Sequence, residues 1–150
     1  MSQQGVPMVQ ADRDDAVMVD TLAVDRAAAL VRAAVRGALT GSDLTLDQWR
    51  VVDHLASVEE ATMSAISAVT LIPGPSLTRT VDRLVDAALA YRTLDSYDRR
   101  RMMVRLSARG IARHRALAPA VTAALADAFA PLAPAELREL GTLLEKLTTR

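Results

Sequence analysis

The chain contains no cysteine, which excludes a disulfide framework, a thiolate metal site and any thiol-based redox switch. Aromatic residues are scarce at 3%, a poor supply for an aromatic-rich β fold. The only imidazoles are His54 and His114, too few and too far apart in sequence to mark a metal site, even with Asp53 or Glu59 nearby. There is no Gly-rich phosphate loop, and no pair of carboxylates is spaced as an acid and a base. Catalysis therefore has no foothold in the sequence, and no cofactor is expected. No apolar run approaches the length of a bilayer span, and the segment MSQQGVPMVQADRDDAV lacks the basic-then-apolar order of a secretory signal. The expectation is a cytoplasmic protein without a membrane partner.

What is present is alanine, leucine and valine, in a chain that is 51% hydrophobic over 150 residues. That length suits one domain with its own core, and the composition favours helix. The net charge is zero, which argues against a protein that coats nucleic acid or membrane indiscriminately. The charge is unevenly placed, however. Between Ser76 and Arg115 there are ten arginines against four aspartates. Seventeen of the eighteen basic residues are arginine, a bias that composition alone can produce, so the positions carry the argument.

Residues 1 to 15 are polar and aperiodic, with Gly5 and Pro7, and read as a flexible tail. From Val17 to Leu39 apolar residues recur at helical spacing, with Gly41 as a stop. Thr45 and Gln48 form a capping box ahead of a second helix to about Ser57, with Trp49, Val52 and Leu55 on one face. Thr62 can cap a short third helix to about Thr70, with Met63, Ile66 and Val69 on its buried side. Pro73, Gly74 and Pro75 predict the turn, and a fourth helix starts at Pro75 or Ser76. Along it Leu77, Val81, Leu84 and Val85 make an apolar stripe, while Ser76, Arg79, Thr80 and Arg83 make a polar, cationic one. Two extended segments follow, Leu89 to Leu94 and Met102 to Leu106, separated by a charged tip at 95–101. Ser107 caps a long helix towards Ala130 that Pro119 is expected to bend. Pro131 and Pro134 break it, and a last helix from about Ala135 carries Leu137, Leu140, Leu144 and Leu147 on one stripe.

Two short helices joined by a turn, the second with a cationic face, then an arginine-tipped hairpin: this order predicts a mainly α fold with a small β-hairpin wing. Such a helix fits the major groove of DNA, and a hairpin tip can reach the flanking minor groove, whose negative potential attracts arginine. The segments LTLDQWRVVDHL, SLTRTVDRLVDAALAYR and DSYDRRRMMVRLSARG resemble, in order and spacing, the multiple antibiotic resistance regulator (MarR) family of bacterial transcription factors. The resemblance spans about Leu44 to Gly110. It implies a winged helix-turn-helix over 44–107, flanked by dimerisation helices at 16–41 and 108–150. The family's wing motif falls on Asp98 and Arg100, where the resemblance implies that the carboxylate orients the guanidinium entering the minor groove, beside Arg99 and Arg101. Its recognition-helix positions fall on Ser76, Thr78 and Arg79, with Arg83 further along. Ala88 departs from the pattern, standing where the family usually has the glycine that ends the recognition helix, and Pro73-Gly74-Pro75 is unusually stiff for the turn.

The resemblance further implies a homodimer whose two recognition helices meet a palindrome in double-stranded DNA, and in many members a small phenolic or aromatic acid that alters DNA binding; the expected role here is a repressor on a pseudo-palindromic operator. The apolar stripes on the first helix and on Val121, Leu125, Phe129, Leu132, Leu137, Leu140 and Leu144 support dimerisation separately, since one small unit does not need them for its own core. Blander readings stand beside these. Arg99, Arg100 and Arg101 could be a solvated tip, and Arg79 and Arg83 could pair with Asp82 and Asp86 one turn on. Trp49 could be core or could line a ligand pocket. The rival functions are a winged-helix protein-interaction module that no longer reads DNA and a ligand-binding carrier without a regulatory role.

Overall fold

A computed structural model describes residues 20–96 and 98–148. The tail expected at 1–15 and the start expected for the first helix at Val17 lie outside the described residues, as does Tyr97 at the wing tip. Among the described residues, six helices and three short strands follow one another as α1 (Thr21–Ala38), α2 (Leu46–Val58), β1 (Glu60–Thr62), α3 (Met63–Thr70), α4 (Gly74–Asp86), β2 (Ala90–Leu94), β3 (Met102–Leu106), α5 (Ala108–Ala128) and α6 (Pro134–Thr148).

Local chemistry sets most helix starts. Asp20 caps α1 by accepting from the Leu22 amide at 2.9 Å. The capping box at α2 is complete, because Thr45 Oγ1 accepts from the Gln48 amide at 3.2 Å and Gln48 Oε1 accepts from the Thr45 amide at 2.8 Å. Thr62 and Ser107 cap α3 and α5 through the amides of Ala65 and Gly110. Each such cap satisfies an amide that the helix itself cannot, worth about 1 kcal/mol.

The core gathers Val51, Val52 and Leu55 of α2, Ile66 of α3, Leu77, Val81 and Leu84 of α4 and Val104 of β3, each at most 1% exposed. Three differences from the sequence reading are physical. Val69, expected on the buried side of α3, is 62% exposed, and Thr70 takes the inward position, hiding its hydroxyl by donating to the Ile66 carbonyl at 2.7 Å. The turn between α3 and α4 is not at Pro73-Gly74-Pro75. Leu71 reverses the chain in the left-handed region at φ 58, and Gly74 and Pro75 already belong to α4. The third is β1, which pairs antiparallel with β3 through Glu60 and Arg105, Ala61 and Val104, Thr62 and Met103, giving the sheet order β1-β3-β2.

Ala88 holds φ 56, the left-handed conformation that the usual glycine would supply. Its amide donates to the Val85 carbonyl at 2.9 Å and the Leu89 amide to the Leu84 carbonyl at 2.8 Å, the paired bonds of a Schellman closure. The link from α4 into the wing thus keeps its course, and the alanine carries the strain, about 1 kcal/mol. Ala88→Gly should relieve it and raise the melting temperature by roughly 2–4 °C. An unchanged or lower melting temperature would show the closure to be unstrained.

Asp43, in the loop before α2, receives both the Nε and an Nη2 hydrogen of Arg113 on α5. The Arg113 guanidinium holds the Asp43 carboxyl below its ordinary value. The stability this adds is present above the ordinary carboxylate range and is lost as pH falls through the depressed value. Arg113→Met should therefore flatten the acid side of the pH–stability curve, with little change in shape near neutrality. The effect is small because the pair is exposed to solvent.

Candidate nucleic-acid interface and adjoining cleft

Helix α4 buries Leu77, Val81 and Leu84 and turns Ser76, Thr78, Arg79 and Arg83 outwards, all exposed. Pairing of Arg79 with Asp82 or of Arg83 with Asp86 does not occur among the described residues. Asp82 instead accepts from Arg92 Nη2 of β2 at 2.6 Å. That bond neutralises an acid on the outer face of α4 and braces the hairpin against the helix, leaving Arg79 and Arg83 as cations outside any ion pair among the described residues. No acid stands in the first turn, and no side chain caps it. Pro73 and Pro75 have no N–H to offer, so of the leading amides only Gly74 and Ser76 remain for an incoming phosphate.

The hairpin tip is held by carboxylates. Asp95 Oδ1 accepts from the Asp98 amide at 3.2 Å, Asp98 Oδ1 accepts from the Arg100 amide at 3.0 Å, and the Asp95 amide donates to the Arg101 carbonyl at 2.9 Å. Asp98 thus fixes the backbone at Arg100; no ion pair between the two side chains occurs among the described residues. Arg99, Arg100 and Arg101 are exposed, without an acidic partner among the described residues. The tip and the α4 face share a sheet-braced unit, because Arg92 ties β2 to α4.

A second feature lies on the other side of α2, a cleft of about 840 Å³ whose walls include Val31, Arg32, Trp49, Arg50, Asp53, His54, His114 and Val121. Trp49 is 4% exposed, so it is packed as a core residue and lines the cleft as well. Its ring stacks on His114 of α5 at 5.2 Å between centroids and 12° between planes, and His114 Nε2 lies 2.8 Å from Asp53 Oδ1. Arg32 and Arg50 stand in the cleft wall, Arg50 within an ion pair with Asp47 at 3.5 Å, and Asp53 sets an acid beside them. His114 escaped the sequence reading as a partner of Trp49, since 65 positions separate them, and the pairing exists only because α5 packs across α2. Arg92 escaped it too, for its acid lies ten residues back on another element.

A helix pair whose second member is exposed and cationic, followed by a hairpin braced against it within a three-stranded sheet, defines a winged helix-turn-helix protein. Residues 42–101 match the family model described as MarR family. Several solved structures share this fold over most of the chain. A probable transcriptional regulator from Pseudomonas aeruginosa matches at 28% identity, with 83% of this chain and 93% of that one covered and a TM-score of 0.69. NadR in complex with 4-hydroxyphenylacetate matches at 23% identity, with 93% and 99% covered and a TM-score of 0.79. A mutant MarR from E. coli complexed with operator DNA matches at 22% identity, with 84% and 91% covered and a TM-score of 0.73. No curated protein matches by sequence. The members of this family are transcriptional regulators, and among the described residues no helix is long and apolar enough to cross a membrane.

Proposed function

We propose that the protein is a transcriptional regulator that reads double-stranded DNA as a homodimer, occupies a pseudo-palindromic operator as a repressor, and is released by a small aromatic acid. The observation that carries this reading is the braced unit of α4 and wing, where Arg79, Arg83, Arg99, Arg100 and Arg101 are exposed and outside any ion pair among the described residues. Side chains on α4 meet base edges in the major groove, and the wing arginines enter the flanking minor groove. Residues 44–107 form the reading unit; 16–41 and 108–150 join the copies.

Dimerisation is supported by α6, which makes no substantial contact with any other helix or strand of its own chain. A lone helix of that length is marginal in water, so it needs a partner surface. The aromatic effector is supported by the Trp49 cleft with Arg32 and Arg50 in its wall, and by the 4-hydroxyphenylacetate bound in NadR.

The test is binding of the purified full chain to the upstream region of its own gene, with competitor DNA present and an aromatic acid added or withheld. Absence of any retained duplex at low salt would end the DNA reading. Within that test, Arg100→Ala should weaken binding and lower the slope of log K against log salt by about one per protomer. An unchanged slope removes the wing from the interface.

A further inference from the structure

The leading end of α4 has an unusual chemistry for a helix that enters DNA, and we infer that it reads the 5-methyl groups of thymine in the major groove. This rests on the DNA-binding role proposed above. Two of the three hydroxyls at that end, those of Thr78 and Thr80 but not that of Ser76, are committed. Thr78 Oγ1 donates to the Gly74 carbonyl at 3.0 Å, and Thr80 Oγ1 donates to the Ser76 carbonyl at 2.9 Å. A threonine whose hydroxyl is turned back on its own helix has its γ-methyl as the uncommitted group. Pro73 and Pro75 add two exposed rings and withhold two amides. Pro75 and Thr78, three positions apart, thus place two apolar groups on one side of the leading turn.

Left to water, this pair has nothing among the described residues to cover it. Against DNA it faces the one base-edge group that is apolar, the thymine methyl, which distinguishes T·A from the other pairs. The flanking charge fits that occupant. Arg79 lies one position beyond Thr78, exposed and outside any ion pair among the described residues, and its planar fork matches the O6 and N7 acceptors of guanine. Arg83 follows a turn later, where a phosphate is the nearest anion. The expected half-site therefore places thymines under the first turn of α4, adjoining a guanine under Arg79.

The experiment starts with duplexes selected by the full chain from a random pool. In the selected sequence each major-groove thymine of one half-site is then replaced by deoxyuridine, which removes only the methyl group. At one or more positions beside the guanine, affinity should fall about fourfold, the effect of one buried methyl. Thr78→Ser keeps the hydroxyl and deletes its methyl. It should show a similar loss on the thymine duplex and no further loss on the deoxyuridine duplex at the contacted position. Selected duplexes that bind equally with deoxyuridine throughout would overturn the assignment while leaving DNA binding intact. Retention of no duplex at all would overturn both.

Discussion

Gly110→Ala is expected to lower the melting temperature of the protein by about 10 °C, from a destabilisation of about 3 kcal/mol. Ordinarily the exchange inside a helix is favourable, by about 1 kcal/mol, and Gly110 lies in the first turn of α5, where its φ is unexceptional. The obstacle is spatial. A Cβ built on Gly110 would stand 2.0 Å from the Leu89 carbonyl oxygen and 3.3 Å from Leu106 Cδ2. Nor can that carbonyl retreat easily, because it accepts the Ser107 amide at 3.0 Å, and the preceding Ala88 carbonyl accepts the Ser107 hydroxyl at 2.7 Å. The entry to the wing and the start of α5 are thus clamped face to face, with only a hydrogen at Gly110 between them. A melting temperature within a degree or two of the parent would mean that the clamp yields at little cost. DNA affinity at low temperature should fall less than stability does, since no group of the α4 face changes.

That clamp also shows where the sequence stops speaking. Ser107 as a helix cap was legible because a cap is a local event, written within four residues; so were the capping box at Thr45 and the two strands on either side of the wing. Gly110 was legible only as part of a matching segment, since its reason lies in a carbonyl twenty-one residues away. β1 was invisible for the same cause. Three residues show no usable period, and their strand exists only through β3, more than forty residues on. The misplaced turn has a different origin. Two prolines around a glycine look like a bend, but proline also suits the opening positions of a helix, where its missing N–H has no intrahelical partner. The structure takes that option, and a leucine in the left-handed region makes the reversal.

For the candidate site the division is sharper. The cationic stripe of α4 was legible because burial of Leu77, Val81 and Leu84 dictates what faces outwards. Whether its arginines were free was not, since Asp82 had Arg79 as its candidate partner one turn away and took Arg92, on another element, instead. The same held for Trp49. A lone tryptophan on a helical stripe implies burial, and only the packing of α5 across α2 adds His114 and the cleft wall.

The second large effect concerns the helices that flank the reading unit. Leu140→Glu with Leu144→Glu is expected to convert a dimer into a monomer and to weaken operator binding by about a hundredfold to ten-thousandfold, because the second half-site would no longer be delivered at a high local concentration. Leu137, Leu144 and Leu147 of α6 are 38%, 49% and 75% exposed, and on α1 Leu22 and Leu30 are 66% and 48% exposed. Two helices of one protomer thus present leucines that its own core does not take up, and α6 has no substantial intrachain contact to explain why it is helical. Placing two carboxylates on that stripe would bury charge at any interface it forms, a cost of several kcal/mol. The α4 face and the wing are untouched, so a single half-site should still be bound weakly with the parent's preference for sequence. Light scattering separates the outcomes. A variant that remains dimeric would place the joint elsewhere than α6, and a monomer that binds the full operator as tightly as the parent would show that the two copies do not read DNA together.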